Sequence, residues 1–211
     1  MELAETNRML RLYKEGIHQL KEALEIYKRR HDAEGQAKCW CFLGWSLLAD
    51  GQLGAAEEAA SHAIKLLTDQ GREYWVCRSR RLLGHIYRSE GKRGKAIEHF
   101  EAAIGIASPF DWHDQLFWIH NALVELFCDT SQFNNAQSHI ERAKSHTVDD
   151  VYKLGRAMGQ QAWIWYRQGR LEEAKAESLC AFEIFEKLGA TAELPVFRRR
   201  HREIELAMER R

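Results

Sequence analysis

Length, composition and charge exclude several classes of protein for this chain of 211 residues. It carries 31 Lys and Arg residues against 31 Asp and Glu residues, whereas domains that bind nucleic acid through bulk charge have a strong basic excess. Its 45% hydrophobic and 29% charged residues are typical of a folded chain rather than a disordered one. Because the sequence has neither a run of about 18 apolar residues nor a secretory leader, we expect a cytoplasmic protein.

Proline and cysteine usage predicts a helical chain with reduced thiols. Only two prolines occur, Pro109 and Pro195, and a sheet protein would need more turn-forming residues. The five cysteines include no C-x-x-C pair, which favours free thiols over disulfides or a zinc site. We therefore expect all five cysteines to be packing residues, and we expect no cofactor and no metal.

The chain repeats itself at an almost constant spacing. Four turn residues, Gly51, Gly91, Ser131 and Gly169, lie 40, 40 and 38 residues apart. Glycine at three of these places suits a residue that leaves a helix with a positive φ. Self-similarity at a fixed period is the signature of a repeat array.

Each repeat is predicted to be a hairpin of two antiparallel helices. The helix before the turn carries apolar residues at helical spacing, as at Trp40, Leu43 and Leu47. The helix after the turn carries small residues about a turn apart, as at Ala96 and Ala103, which let two helices approach closely. Because a lone hairpin buries only one face, neighbouring hairpins must stack into a solenoid.

The pattern resembles that of the tetratricopeptide repeat family. The family's L-G-x2-Y element is met at Leu83, Gly84 and Tyr87, and its A-x3-F element at Ala96 and Phe100. Since the family repeat is about 34 residues long, the chain is similar to variants with longer helices. The resemblance implies an all-α fold, a right-handed superhelical solenoid of antiparallel helix hairpins with repeats of about 40 residues.

We predict one solenoid over residues 1–211. Its parts are an incomplete or diverged first repeat at 1–32, repeats at 33–70, 71–109, 110–148 and 149–189, and a capping helix at 190–211. In the first repeat, Tyr13 would lie in the turn after one short helix. In the capping helix, one apolar stripe would be formed by Leu194, Phe197, Ile204 and Met208, with arginines covering much of the rest.

The sequence has none of the common catalytic or phosphate-binding motifs, so we predict that the chain is not an enzyme. The nearest approach to a metal-ligand set is His113 and His120 with Asp111 and Asp114. We interpret Asp111 as a helix N-cap instead, and we expect His120 to face the partner helix. His139 and His146 lie on a mostly polar helix and are expected at the surface.

The family resemblance also implies a partner-binding groove lined by the first helix of each repeat. Carried over residue by residue, the ligand-facing positions of the family predict these partner-binding residues: Lys38, Trp45, Arg78, Arg81, His85, Arg88, Trp118, Asn121, Arg156, Trp163 and Tyr166. The same mapping places one acid, Glu125, against five basic residues, a charge balance that favours an acidic partner. The tryptophans are typical of binding hot spots.

Three functions remain open from the sequence. The first is a non-enzymatic scaffold that binds an acidic or amphipathic peptide segment in this groove. The second is a structural, self-associating or autoinhibitory segment of a larger signalling ATPase, since residues 110–120 and 140–146 look similar to repeat regions of fungal NLR-like ATPases. The third is binding of single-stranded RNA through stacked Trp and Arg side chains. We expect an acidic protein or peptide partner rather than nucleic acid, and no membrane, and homo-oligomerisation stays open.

Recognition of a chaperone C-terminal tail is not expected. Tetratricopeptide domains that clamp such a tail use Lys and Asn one helical turn apart, and Cys41 and Trp45 stand at those places here.

Overall fold

A computed structural model describes residues 2–68, 71–147, 149–190 and 193–210, with side chains from residue 12 onward. These residues form α-helices, one short 3₁₀ helix at Ser108–Phe110 and no strand. The helices are α1 (Glu2–Arg29), α2 (Ala33–Ala49), α3 (Leu53–Thr68), α4 (Glu73–Ser89), α5 (Arg93–Ala107), α6 (His113–Asp129), α7 (Phe133–Ser145), α8 (Val151–Arg167), α9 (Leu171–Lys187) and α10 (Leu194–Glu209). None of the helices described is long and apolar enough to cross a membrane.

The chain divides into two compact units, Met1–Asp111 and Trp112–Arg211. In the first unit α1 packs against α2, and the hairpins α2–α3 and α4–α5 pack through α3 and α4. In the second unit the hairpins α6–α7 and α8–α9 pack through α7 and α8, and α10 packs against α9 and α8. The predicted all-helical hairpin architecture is confirmed, and the predicted continuity of one array over residues 1–211 stays a prediction.

The turns inside the hairpins have the backbone that their residue types predict. Gly51, Gly91 and Gly169 have φ angles of 80°, 74° and 79°, a region that is strained for residues with a Cβ. Ser131 takes the same place in the third hairpin at a φ of 56°. The turn geometry therefore recurs in all four hairpins, including the one that lacks the glycine.

A second kind of glycine allows close packing inside the hairpin α4–α5. Phe100 is completely buried, and a Cβ added to Gly84 would lie 2.5 Å from its Cε1 atom. That distance is far below ordinary van der Waals contact. The glycine of the leucine-glycine element is therefore needed here because the Phe100 ring packs directly against the backbone of α4.

Helix α1 differs from the sequence prediction. It runs without interruption over Glu2–Arg29, so the predicted turn at Tyr13 is wrong. Arg11 stands at the position that corresponds to Gly51, the turn residue of the hairpin α2–α3. A positive φ is strained for an arginine, whereas arginine has a high helix propensity, so the helix continues through this position. The spacing of the turns therefore does not continue into the N-terminal segment, which is a single helix and not a hairpin.

Two smaller predictions are also wrong. Asp111 is not the N-cap of α6, because Trp112 occupies that position and Asp111 ends the 3₁₀ helix with a φ of 49°. Among the five cysteines, Cys180 is exposed on α9, whereas the other four are buried as expected. The sequence of α9 alone does not show which of its residues contact neighbouring helices, so the exposure of Cys180 could not be predicted from it.

Helix α10 covers the hairpin α8–α9 within the second unit. Phe197 and Ile204 are buried, and the ring of Phe197 stacks on that of Phe185 with centroids 4.6 Å apart. The ring also contacts Gly159, where an added Cβ would collide with it. The other two residues of the predicted stripe are half-buried.

Candidate partner-binding faces

All the predicted partner-binding residues except Asn121 lie on one of two faces, one in each unit. We name the first the α2–α4 face, formed by Lys38, Phe42, Trp45, Trp75, Arg78, Arg81, His85 and Arg88. We name the second the α6–α8 face, formed by Trp118, Glu125, Arg156, Gln160, Trp163 and Tyr166 together with Arg200 from α10. Each face arises because the first helices of neighbouring hairpins pack side by side.

On the α2–α4 face, two arginines of α4 lie over aromatic rings. The guanidinium of Arg78 lies 5.3 Å from the ring centre of Phe42 and 5.0 Å from that of Trp75. The guanidinium of Arg81 lies 5.2 Å from the ring centre of Trp45. A guanidinium over an aromatic face is held by cation–π attraction, and its planar fork of N–H donors suits carboxylate and phosphate acceptors.

Lys38 contributes less charge to this face than the sequence predicts. Its Nζ lies 2.6 Å from Oε1 of Glu34, and the other carboxylate oxygen of Glu34, Oε2, lies 2.8 Å from Nη2 of Arg72. The same Nζ lies 5.5 Å from the ring centre of Trp75. The Lys38 charge is therefore already balanced by an acid on its own helix.

His85 is a neutral member of the α2–α4 face. Its ring lies 5.3 Å from that of Trp45 and 5.2 Å from that of Phe100. Burial, followed by the charges of Arg88 and Arg81, lowers the pKa of His85 to about 3. At neutral pH this imidazole adds no positive charge, so the basic character of the face comes from arginine.

The α6–α8 face holds a paired acid. The guanidinium of Arg156 lies 5.3 Å from the ring centre of Trp118 and 3.9 Å from Oε1 of Glu125. Gln160 Nε2 donates a hydrogen bond of 2.8 Å to the same Oε1. The only acid predicted for the groove is therefore bound by side chains of this face.

Arg200 joins the α6–α8 face from helix α10. Its Nη1 donates to Oε1 of Gln160 at 3.4 Å, and its guanidinium lies 5.0 Å from the ring centre of Trp163. Burial lowers the pKa of Arg200, and the carboxylate of Glu125 opposes this shift. Trp163 also packs against Tyr166 with ring centroids 5.0 Å apart.

One predicted partner-binding residue is buried in the structure, and residues that were not predicted lie on the two faces. Asn121 is only 4% exposed, so its side chain has almost no surface to offer a partner. Phe42 and Trp75, which the sequence analysis missed, lie three residues before Trp45 and Arg78 and could have been found by extending the helical stripes. Arg200 gave no such signal, because nothing on α10 alone shows what it packs against.

Two histidine pairs join α6 to α7 in the second unit. Nδ1 of His113 lies 3.0 Å from Nδ1 of His146, and Nδ1 of His120 lies 3.0 Å from Nδ1 of His139. His120 faces its partner helix as expected. His139 and His146, which the sequence predicts at the surface, are half-buried, and each pairs with a histidine of α6. The residues described include no group of three or more side chains that could hold a metal ion.

These contacts predict that the second unit loses stability at mildly acidic pH. Burial, followed by the charges of His139, His146 and Arg142, lowers the pKa of His120 to about 3, whereas histidine in an unfolded chain titrates near pH ~6.5. The stability due to neutral His120 is therefore present above pH ~6.5 and is lost as the pH falls from there towards 3. Between about pH 7.5 and 5.5 we expect a loss of about 1.4 kcal/mol from this residue.

Urea unfolding of wild type and His120→Gln at the two pH values checks this expectation. The variant should lose about 1.4 kcal/mol less stability on acidification than wild type, whatever its stability at neutral pH. An identical pH dependence in the two proteins would contradict it.

Comparison with known proteins identifies the fold that presents these faces. Residues 81–109, which include Gly84 and Phe100, match the family model for the tetratricopeptide repeat. This segment is therefore similar to a tetratricopeptide repeat. A search of curated proteins gave no match.

Solved structures extend this tetratricopeptide-like fold over nearly the whole chain. BtubC (BKLC) from P. vanneervenii is similar at a TM-score of 0.70 and 16% identity, with 93% of this chain and 92% of that chain covered. The TPR-like repeats of a putative kinesin light chain from Podosopora anserina reach a TM-score of 0.63 at 16% identity, with 90% and 97% covered. A Rap protein complexed with Competence and Sporulation Factor reaches 0.67 at 16% identity, where this chain spans 62% of the Rap chain. At these identities the similarity shows the fold alone.

Proposed function

We propose that this chain is a non-enzymatic protein-interaction scaffold whose α2–α4 face binds an acidic or amphipathic peptide segment. The observation that carries the proposal is the stacking of Arg78 and Arg81 on Phe42, Trp75 and Trp45. Stacking orients each guanidinium before a ligand arrives, so less side-chain entropy is lost when a carboxylate binds.

The charge and apolar surface of this face fit the same kind of partner. Helix α4 contributes Arg78, Arg81 and Arg88 to this face, and its single acid is Glu73 in the first turn. A concentration of one charge sign attracts an oppositely charged ligand. Phe42 is 40% exposed beside Arg78, so an apolar side chain of the partner has a surface to contact next to the charged one.

The comparisons support a role in binding proteins, without indicating the chemistry of the partner. Tetratricopeptide-like repeats generally mediate protein–protein interactions, and the Rap structure of similar fold was solved with Competence and Sporulation Factor bound. That complex supports a binding role for proteins of similar fold. The acidic character of the partner rests on the arginines of α4 alone.

Reversing two charges of the α2–α4 face tests the proposal. We expect Arg81→Glu with Arg88→Glu to weaken binding of a labelled peptide that alternates glutamate with phenylalanine by about 100-fold or more, since losing a charged contact commonly costs ~2 kcal/mol or more. Fluorescence anisotropy measures the affinity, and pull-down from a native lysate followed by mass spectrometry identifies the natural partner.

The matched control is Lys65→Glu with Arg93→Glu, which makes the same charge change on exposed residues of α3 and α5 in the same unit. This control should bind the peptide within a few-fold of wild type. If both double variants bind equally well, the proposal is wrong. Preferred binding of a single-stranded RNA oligonucleotide with a steep salt dependence, or a mass that rises with concentration in light scattering, would favour the other two functions instead.

A further inference from the structure

Helix α10 combines arginines with apolar surface on the side that points away from the hairpin α8–α9. One row along this side is formed by Leu194, Arg198 and Arg202, which are four residues apart. Beside that row lie Pro195 and Arg199, and the five side chains line one open hollow. We name these five residues the α10 face.

The arginines of the α10 face are only weakly paired with acids. Arg202 makes no hydrogen bond, ion pair or ring contact with any residue that the structure describes. The guanidinium of Arg198 lies 5.6 Å from the ring centre of Phe182 on α9, a contact that orients the guanidinium without neutralising its charge. Nε of Arg199 lies 3.9 Å from Oε1 of Glu203, in a pair that is exposed to water and therefore contributes little.

The other acids on or next to α10 do not balance these charges. Glu193, just before the helix, accepts a hydrogen bond of 2.6 Å from the hydroxyl of Tyr152. Glu205 lies 3.6 Å from Nε2 of His201. Glu209 is exposed near the C-terminal end of the helix, about 10 Å along the axis from the last arginine of the α10 face. The face therefore keeps a net positive charge.

Exposed apolar side chains adjoin the arginines. Leu206 is 39% exposed and continues the row one turn beyond Arg202. Leu179 is 43% exposed on α9 and lies one turn before Phe182, the residue whose ring contacts Arg198. A partner that carries both acidic and apolar side chains would therefore find matching groups along the whole surface.

We infer that the α10 face is a second interaction surface, which binds an acidic amphipathic helix of a protein partner. Carboxylates three or four residues apart on such a helix match the spacing of Arg198, Arg199 and Arg202, because both elements are α-helices. The apolar side chains of the partner helix contact Leu194 and Leu206. This inference does not depend on the proposed function, since the α10 face shares no residue with the α2–α4 face.

A pair of labelled helical peptides tests the inference. The first carries glutamates and leucines on one face and alanine and glutamine on the other, and the second has the same composition with its glutamates moved to the opposite face. Fluorescence anisotropy is measured in the Arg81→Glu/Arg88→Glu protein, so that the α2–α4 face does not contribute. We expect the first peptide to bind at least about tenfold more tightly. Equal binding of the two peptides, or no binding of either, would overturn the inference.

Charge reversals on α10 locate the binding. In the same background, adding Arg198→Glu with Arg202→Glu should weaken binding of the first peptide by about tenfold or more. The matched control adds Arg142→Glu with Arg170→Glu, which makes the same charge change on exposed residues of the same unit, and should bind within about twofold of the background. Equal losses would overturn the inference, because net charge alone would then explain them.

Hydrogen exchange gives a second measurement, on the wild-type chain. A saturating amount of the first peptide should slow amide exchange along Leu194–Glu209, and Arg202→Gln should reduce that slowing without changing the exchange of the free protein. Slowing confined to α2 and α4 would overturn the inference. So would binding to phosphatidylserine vesicles that Arg198→Glu with Arg202→Glu abolishes, because the face would then belong to a membrane.

The proposed function fails on a different observation. It is wrong if Arg81→Glu/Arg88→Glu does not weaken binding of the glutamate–phenylalanine peptide, whatever the helical peptides do at the α10 face.

Discussion

Replacing Gly84 by alanine is expected to destabilise the first unit by about 3 kcal/mol. The added Cβ would lie 2.5 Å from Cε1 of Phe100, and Phe100 is completely buried, so the contact can be relieved only by moving a packed side chain or the backbone. Helix propensity favours alanine over glycine by ~1 kcal/mol, so a net loss would show that packing decides this position. Urea unfolding followed by tryptophan fluorescence measures the change.

Gly105→Ala provides the matched control for that prediction. Gly105 lies on α5 of the same unit, is exposed, and has no atom within 4 Å of an added Cβ. There we expect alanine to stabilise the unit by about 1 kcal/mol through helix propensity. Similar effects of the two substitutions would show that the close approach of Phe100 to Gly84 is not a determinant of stability.

Truncating Phe197 to alanine is expected to destabilise the second unit by about 3–5 kcal/mol. The ring is 7% exposed, stacks on Phe185 and packs against Gly159, so its removal leaves a cavity between α10 and the hairpin α8–α9. The loss should be accompanied by release of α10, measurable as faster amide hydrogen exchange along Leu194–Glu209.

The neighbouring substitution Val196→Ala tests whether the loss of stability comes from the Phe197 contact or from any truncation on α10. Val196 is 42% exposed on α10, so its truncation should change stability by less than about 0.5 kcal/mol. If Phe197→Ala is as mild as Val196→Ala, α10 does not stabilise the second unit through this contact.

The hairpins were predictable because their signals are local. A glycine with positive φ at Gly51, Gly91 and Gly169 follows from residue type and spacing, and the helical stripes follow from periodicity. The turn at Ser131 was predicted by its spacing, although serine is a poorer residue for that backbone. The prediction for the first repeat was wrong because it depended on the repeat spacing alone. No turn-forming residue supported the turn that this spacing predicted inside α1.

The candidate site was predictable only in part. Positions carried over from the family place Trp45, Arg81 and Arg156 on the two faces, and their role in binding stays a prediction. The charge count did not find the pairing of Glu125, since the sequence does not show which cation an acid contacts. Arg200 comes from a different helix, so no pattern within one repeat includes it.

The histidine pairs of the hairpin α6–α7 also constrain where protons are carried. When both rings of a pair are neutral, a hydrogen bond between two Nδ1 atoms requires one ring to carry its proton on Nδ1 and the other to carry it on Nε2. His113 with His146 and His120 with His139 each meet this condition at 3.0 Å. A change of tautomer in one ring therefore forces the opposite change in its partner, so the four imidazoles hold their protons as two correlated pairs.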